Sequence, residues 1–239
     1  MINKKTIIFL SFICFLVFNL VYLFNQNNNY VNINFDKSNI NNAVYNSIDY
    51  ESIINKLKIE YNNQDVVGVL EINNSDFIVP ILQGDDNDYY LNHDIYGNKN
   101  YLGSIYLDYR VDIDTSKKLL IFGHNSYNID APFKILENFY DKDYYDNHKY
   151  VEITTSKTKK RYEIFSVYVE TDDFSYMRIN FYDELDYINH LNKLKSKSIY
   201  DTGVELSSND EILILQTCSY NLKYSDYSKK YLLIILRRI

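Results

Sequence analysis

The sequence predicts a mainly β fold, a closed or nearly closed barrel of about eight strands with helical insertions. Eight short apolar runs have strand character, turn-type residues separate most of them, and only a few stretches have helical spacing. No internal repeat is present that would indicate a solenoid or a propeller. The predicted strands cover residues 66–72, 77–82, 104–109, 118–124, 150–154, 162–170, 211–218 and 231–237.

Three helical stretches accompany the strands. Residues 47–63 carry apolar side chains at helical spacing, with Ser47 or Asp49 as the candidate N-cap. Residues 131–140 predict a short helix, and residues 181–196 a longer one. We therefore expect an amphipathic helix packed on the domain before the first strand, and two helices inserted between later strands.

The N-terminus predicts a membrane anchor. Residues 6–24 are almost entirely apolar, near the shortest length that crosses a bilayer as a helix. Lysines occur in residues 1–5 but not directly after the apolar run, which predicts a cytoplasmic N-terminus and an extracellular remainder. A cleaved signal peptide is the competing interpretation, but no A-x-A-like cleavage site follows the run. The protein is thus expected at the cell membrane with a single pass.

Beyond the anchor, residues 25–45 are rich in Asn and Ser and predict a polar linker, and residues 46–239 form the predicted domain. The formal net charge is −7, and no long basic run is present. A nucleic-acid partner is therefore not expected. The small basic cluster at residues 157–161 is interpreted as solvated side chains at a hairpin turn.

Two cysteines occur, and one of them lies in the predicted anchor. Cys14 falls inside the apolar run, so Cys218 is the only cysteine of the predicted exported part. A lone exported thiol is either a reactive group or a small buried hydrophobe, and its presence alone does not decide between them.

His124 is the histidine that best suits a catalytic partner for Cys218. It ends an apolar run next to a glycine, whereas His93, His148 and His190 have polar neighbours that favour structural roles. An adjacent imidazolium stabilises the nucleophilic thiolate and can then protonate a leaving amine. Two strand ends meeting at one barrel rim would bring this pair together.

Several segments resemble a known family. "ILQTC" resembles the T-L-x-T-C signature of sortases, the cysteine transpeptidases of Gram-positive cell surfaces, and "LLIFGHNS" resembles their histidine segment. "GSIYLDYR" and "APFKILENFYDKDYY" are similar to class B sortases, as are the N-terminal anchor and first helix. The resemblance covers roughly residues 46–239.

This resemblance implies an eight-stranded sortase barrel and a reaction without metal or cofactor. Cys218 would attack the peptide bond after Thr in the sorting motif of a surface protein, giving a thioester. An amine of a peptidoglycan precursor or of a pilin would then resolve that thioester. Class B enzymes often take motifs of the N-P-x-T-N type, with S/P-P-x-T-G variants.

One departure from the family concerns its arginine, which begins the strand after the cysteine loop and holds substrate or the oxyanion. Lys230 aligns best with that position, with Lys229 and Tyr231 as the alternatives. Arg237 and Arg238 lie about seven residues further, over ~20 Å along an extended strand. Lysine supplies the charge but not the two-pronged donor. Lys230 is therefore the candidate third catalytic residue of a slow enzyme.

Secondary candidates surround these residues. Asn125 and Ser126 are candidates for orienting His124 or binding substrate, and Thr217, Tyr220 and Tyr224 for lining the substrate groove. The aligned lysine keeps two other functions open. The protein would then be a catalytically silent module that binds sorting peptides, or a simple cysteine hydrolase in which water resolves the thioester.

Overall fold

The structure, a computed structural model, describes residues 49–239. The predicted segments 1–5, 6–24 and 25–45 lie outside the described residues. Within residues 49–239, every helix is too short or too polar to cross a bilayer.

Eight strands form a closed barrel, which confirms the predicted fold of the domain. Their order around the barrel is β1-β2-β3-β4-β7-β8-β6-β5. The strands, numbered along the chain, are β1 Val66–Ile72, β2 Ile78–Leu82, β3 Tyr106–Leu107, β4 Lys118–Phe122, β5 Tyr150–Thr155, β6 Lys159–Glu170, β7 Ile212–Cys218 and β8 Tyr231–Arg238.

Two neighbouring pairs run parallel, β2 with β3 and β4 with β7, whereas the other pairs are antiparallel. A parallel pair needs a long crossover, and the chain between β4 and β7 supplies one that contains two α-helices, two 3₁₀ helices and a hairpin. Strands β4 and β7 are far apart in the sequence, and this crossover brings their C-terminal ends to the same rim of the barrel. All five residues of β2 and of β4 are buried, as expected for strands covered on both faces.

The three predicted helices are present, one of them as a 3₁₀ helix, and a further short helix was not predicted. Helix α1 (Tyr50–Glu60) is capped by Asp49, whose carboxylate accepts from the Ser52 amide at 3.0 Å. The predicted helix at 131–140 is a 3₁₀ helix, Lys134–Tyr140, and a short helix α2 (Lys142–His148) follows it. Helix α3 (Glu184–Ser196) is capped by Asp183.

A buried lysine and histidine join α3 to the barrel. Lys118 Nζ, at the start of β4, lies 3.0 Å from His190 Nε2 and donates to the carbonyls of Tyr176 and Arg178. Burial, with the neighbouring Lys118 charge, lowers the pKa of His190 to about 3. His190 therefore remains neutral near pH 7 and accepts a hydrogen bond from Lys118, a structural role.

Two other cations are also structural. Arg110 grips the buried Asp108 carboxylate with two hydrogen bonds of 2.8 and 2.6 Å. Lys160 is only 2% exposed and donates to the Asp114 carbonyl at 2.8 Å. The expectation of solvated side chains at residues 157–161 is therefore wrong for Lys160. Its position on β6 buries this side chain against the backbone carbonyls of Ile113 and Asp114.

Candidate active site

The site begins where β4 and β7 end side by side. Their last paired residues are Phe122 and Gln216, and the Gly123 amide donates to the Gln216 carbonyl at 3.2 Å. His124 and Cys218 each follow the last paired residue of their strand by two positions. In a parallel pair, residues the same number of positions along both strands lie side by side, so these two residues lie at the same rim of the barrel.

Thr217 joins the ends of β4 and β7 by a hydrogen bond one residue before this pair. Its hydroxyl donates to the Gly123 carbonyl at 2.7 Å, and the residue is 2% exposed. The sequence made Thr217 a candidate for binding substrate. In the structure its side chain is buried and its hydroxyl is bound to a backbone carbonyl, where it joins the two strand ends. A substrate contact through the Thr217 backbone stays a prediction.

The nucleophile candidate is accessible, and its surroundings favour the protonated thiol. Cys218 is a free, exposed cysteine. Nearby protein atoms still reduce the hydration of the sulfur, and this desolvation raises the pKa of the thiol. Among the hydrogen bonds of residues 49–239, none joins the Cys218 sulfur to the His124 ring. A base must therefore take the thiol proton when substrate is bound.

His124 is oriented by a backbone group that the sequence did not reveal. Its Nε2 lies 2.8 Å from the Leu91 carbonyl, in the β2–β3 loop. A carbonyl only accepts, so Nε2 carries the proton, and Nδ1 of the neutral ring is the free acceptor. Any residue type supplies a carbonyl, which is why residue identity gave no signal for Leu91.

Asn125 contacts the nucleophile rather than the imidazole. Its side-chain amide donates to the Cys218 carbonyl at 2.9 Å and to Glu137 Oε1 at 2.9 Å. Asn125 is buried, whereas the neighbouring Ser126 is partly exposed. A role for Ser126 beside His124 stays a prediction. Sequence reasoning also missed Glu137, which lies on the 3₁₀ helix that follows the histidine segment.

Lys230 lies next to Tyr231, the residue that pairs with the nucleophile. Cys218 pairs with Tyr231 in the β7–β8 ladder, and the Ser219 amide donates to the Lys230 carbonyl at 2.9 Å. Arg237 instead pairs with Ile212, at the far end of the same ladder. The structure therefore separates the C-terminal arginines from the site, as their spacing indicated, and places the Lys230 backbone beside it. A role for the Lys230 ammonium group stays a prediction.

The β7–β8 loop carries the two tyrosine candidates. Tyr220 is exposed, and its ring lies 6.3 Å from that of Tyr127, which is 74% exposed. Tyr224 ends the short 3₁₀ helix Leu222–Tyr224. Their contact with substrate stays a prediction. Residues 49–239 contain no group of three metal-ligating side chains placed to hold an ion.

Comparison with known proteins agrees with this geometry. The sortase domain model matches residues 70–235, which include both His124 and Cys218. The chain belongs to the sortase family. Members of this family are cysteine transpeptidases, and both residues of the candidate pair fall inside the matched domain.

The similar proteins are class B sortases. The chain is 37% identical over 163 residues to sortase B of Listeria monocytogenes, a match that covers 68% of this chain and 66% of that protein, just under two thirds of it. It is 29% identical over 177 residues to sortase B of Staphylococcus aureus, covering 74% of this chain and 71% of that one.

Solved structures of class B sortases resemble this barrel as well. Sortase B from Listeria monocytogenes aligns with a TM-score of 0.65 and 34% identity, covering 75% of this chain and 97% of that one. Clostridium perfringens sortase B aligns with a TM-score of 0.69 and 30% identity, covering 77% and 98%. A Staphylococcus aureus sortase B–substrate complex aligns with a TM-score of 0.69 and 26% identity, covering 85% and 97%.

Proposed function

We propose that this protein is a class B cysteine transpeptidase that cleaves a sorting motif after Thr and transfers the acyl group to an amine. The observation that carries the proposal is the register of β4 and β7, which brings His124 and Cys218 to one rim of a sortase barrel. The similarity to a Staphylococcus aureus sortase B–substrate complex supports a peptide substrate.

The first half of the reaction forms a thioester. His124 takes the Cys218 proton, and the sulfur attacks the carbonyl carbon of the motif threonine. The C–S bond forms, the peptide C–N bond breaks, and the imidazolium gives its proton to the departing amine. Because the pKa of the Cys218 thiol is raised, proton removal is a necessary part of the step.

In the second half an amine of a peptidoglycan precursor or of a pilin attacks the thioester. The new C–N bond forms, the C–S bond breaks, and the thiol regains a proton. Throughout, His124 is held by the Leu91 carbonyl at Nε2, which leaves Nδ1 for the proton transfers.

Lys230 is the proposed cation for the oxyanion of each tetrahedral intermediate. Its backbone lies beside Ser219, one residue after the nucleophile. Lysine supplies one flexible charge where the family has a planar arginine, and loss of one oxyanion donor typically costs about 10²–10³ in rate. We therefore expect turnover that is slow for a sortase.

The location belongs to the same proposal. The apolar residues 6–24 and the lysines before them favour a single-pass anchor with a cytoplasmic N-terminus. The domain would then act outside the cell, where sorting-motif proteins and the amine acceptor meet.

The test is incubation of the protein with N-P-x-T-N and S-P-x-T-G peptides, with and without an amine such as triglycine, followed by mass spectrometry. We expect cleavage after Thr, and a ligated product when the amine is present. Hydrolysis that the amine does not divert would indicate a cysteine hydrolase, and binding without cleavage a silent module. Full cleavage by Cys218→Ala would refute the proposal.

A further inference from the structure

We propose that Glu137 is a positioning residue for the nucleophile, holding the backbone of residues 218–220 from the 3₁₀ helix Lys134–Tyr140. The inference rests on the proposed function, since it assigns Cys218 as the nucleophile. Glu137 does not touch the reacting atoms and acts through Asn125 and the Tyr220 amide.

The contacts form a short chain of hydrogen bonds. Glu137 Oε1 accepts from the Asn125 side-chain amide at 2.9 Å and from the Tyr220 backbone amide at 2.8 Å. The same Asn125 amide nitrogen donates to the Cys218 carbonyl at 2.9 Å. One carboxylate oxygen therefore restrains the backbone on both sides of Ser219.

The orientation of Asn125 follows from its partners. A carboxylate and a carbonyl are both acceptors, so the amide nitrogen must face them. The Asn125 oxygen is then left buried without a hydrogen-bond partner among the described residues. An unpaired buried acceptor is unfavourable, and the two donated hydrogen bonds offset that cost.

Tyr140, on the same 3₁₀ helix, contacts Ser219, the residue between Cys218 and Tyr220. The Tyr140 hydroxyl lies 2.7 Å from the Ser219 hydroxyl, which also accepts from the Asn221 amide at 3.2 Å. Side chains three residues apart lie on one face of a 3₁₀ helix, so Glu137 and Tyr140 face the cysteine loop together. Contacts to Ser219 and Tyr220 thus come directly from this helix, and the contact to Cys218 comes through Asn125.

The Glu137 carboxylate is partly buried, which strengthens its hydrogen bonds to Asn125 and Tyr220. Burial raises the pKa of Glu137, while the hydrogen bonds from Tyr220 and Asn125 oppose that shift. Hydrogen bonds to an ionised acceptor are roughly twice as strong as neutral ones. Removing the carboxylate frees both donors and lets the loop move relative to His124.

The test compares Glu137→Ala, Glu137→Gln and the control Glu60→Ala, which removes an exposed glutamate of α1. We measure kcat and KM on the sorting peptide, and thermal melting to verify folding. Glutamine keeps an acceptor oxygen for both donors. We expect kcat to fall about tenfold or more in Glu137→Ala with KM within about twofold, since a shift near 1 Å costs up to about 10² in rate. Glu137→Gln should keep kcat within about threefold, and Glu60→Ala should match the wild type.

The rate of Cys218 alkylation by iodoacetamide is measured in parallel, because it needs no sorting peptide. We expect about a threefold or greater rise in Glu137→Ala, since a loosened loop lets water reach the sulfur, and little change in Glu137→Gln. If wild-type protein fails to turn over any peptide, the proposed function fails while alkylation still tests the positioning role. Unchanged kcat and alkylation in a folded Glu137→Ala, or equal losses in the Ala and Gln variants, would overturn the inference.

Discussion

The hydrogen bond from Thr217 to Gly123 is the contact that most directly sets the spacing of the two strand ends. We predict that Thr217→Val, which keeps the shape and removes the hydroxyl, lowers both stability and activity, whereas Thr217→Ser retains most of both. The donor–acceptor distance is 2.7 Å, and the residue is 2% exposed. Water cannot readily replace the lost donor at so buried a position.

The size of the effect follows from that burial. Leaving a buried acceptor unpaired costs about 1–3 kcal/mol. For a domain of this size, each kcal/mol lowers Tm by about 2–4 °C, so a loss of about 2 kcal/mol predicts a Tm lower by about 4–8 °C. Separation of His124 from Cys218 should lower kcat by about tenfold or more.

Thermal melting and sorting-peptide kinetics on the two variants measure both quantities. The serine variant controls for the loss of the methyl group. The reasoning would be refuted if Thr217→Val melted and turned over like the wild type, or if Thr217→Ser lost as much as Thr217→Val.

Three further predictions concern the ionisable side chains of Arg110, His190 and Lys230. Arg110→Ala should destabilise the fold by about 1–3 kcal/mol in urea unfolding, because the buried Asp108 carboxylate loses two charge-assisted hydrogen bonds and keeps the one from the backbone amide of residue 110; an unchanged free energy of unfolding would contradict this. The pKa of His190 is about 3 in the fold against about 6.5 when unfolded, so the unfolded chain binds the proton first. Stability should therefore fall as pH drops from about 6.5 toward 3, by up to about 1.4 kcal/mol per pH unit, and His190→Gln should flatten that slope between pH 6 and 4. Lys230→Ala should lower kcat by about tenfold or more and Lys230→Arg should raise it; equal kcat in the two variants would remove Lys230 from the mechanism.

The strands were predictable because each carries a strong local signal. The apolar runs of β1 and β7 have turn residues beyond them, and their bounds agree with the sequence within one residue. The strand predicted for 104–109 is paired only at Tyr106–Leu107. The Asp108 amide still donates to the Leu120 carbonyl at 2.9 Å, and the chain then turns, with the Asp108 carbonyl accepting from the Val111 amide at 3.2 Å.

The predicted pair at the site depended on topology as well as on residue type. Cys218 and His124 each end an apolar run, but only the parallel crossover between β4 and β7 brings those ends together. The groups that position the pair carried no local signal. Leu91 contributes a backbone carbonyl, and Glu137 is one of many acidic residues until the fold brings it against Tyr220.

Cross-linking tests the adjacency of positions 124 and 218 most directly. In the variant His124→Cys, mild oxidation should join the new thiol to Cys218, since neighbouring strands lie within the 4.4–6.8 Å between Cα atoms that a disulfide requires. Peptide mapping by mass spectrometry should then recover the linked 124–218 peptides, and Ile59→Cys, on α1, should give no link to Cys218. A His124→Cys protein that stays folded and keeps a fully alkylatable Cys218 after oxidation would contradict the shared rim on which the mechanism depends.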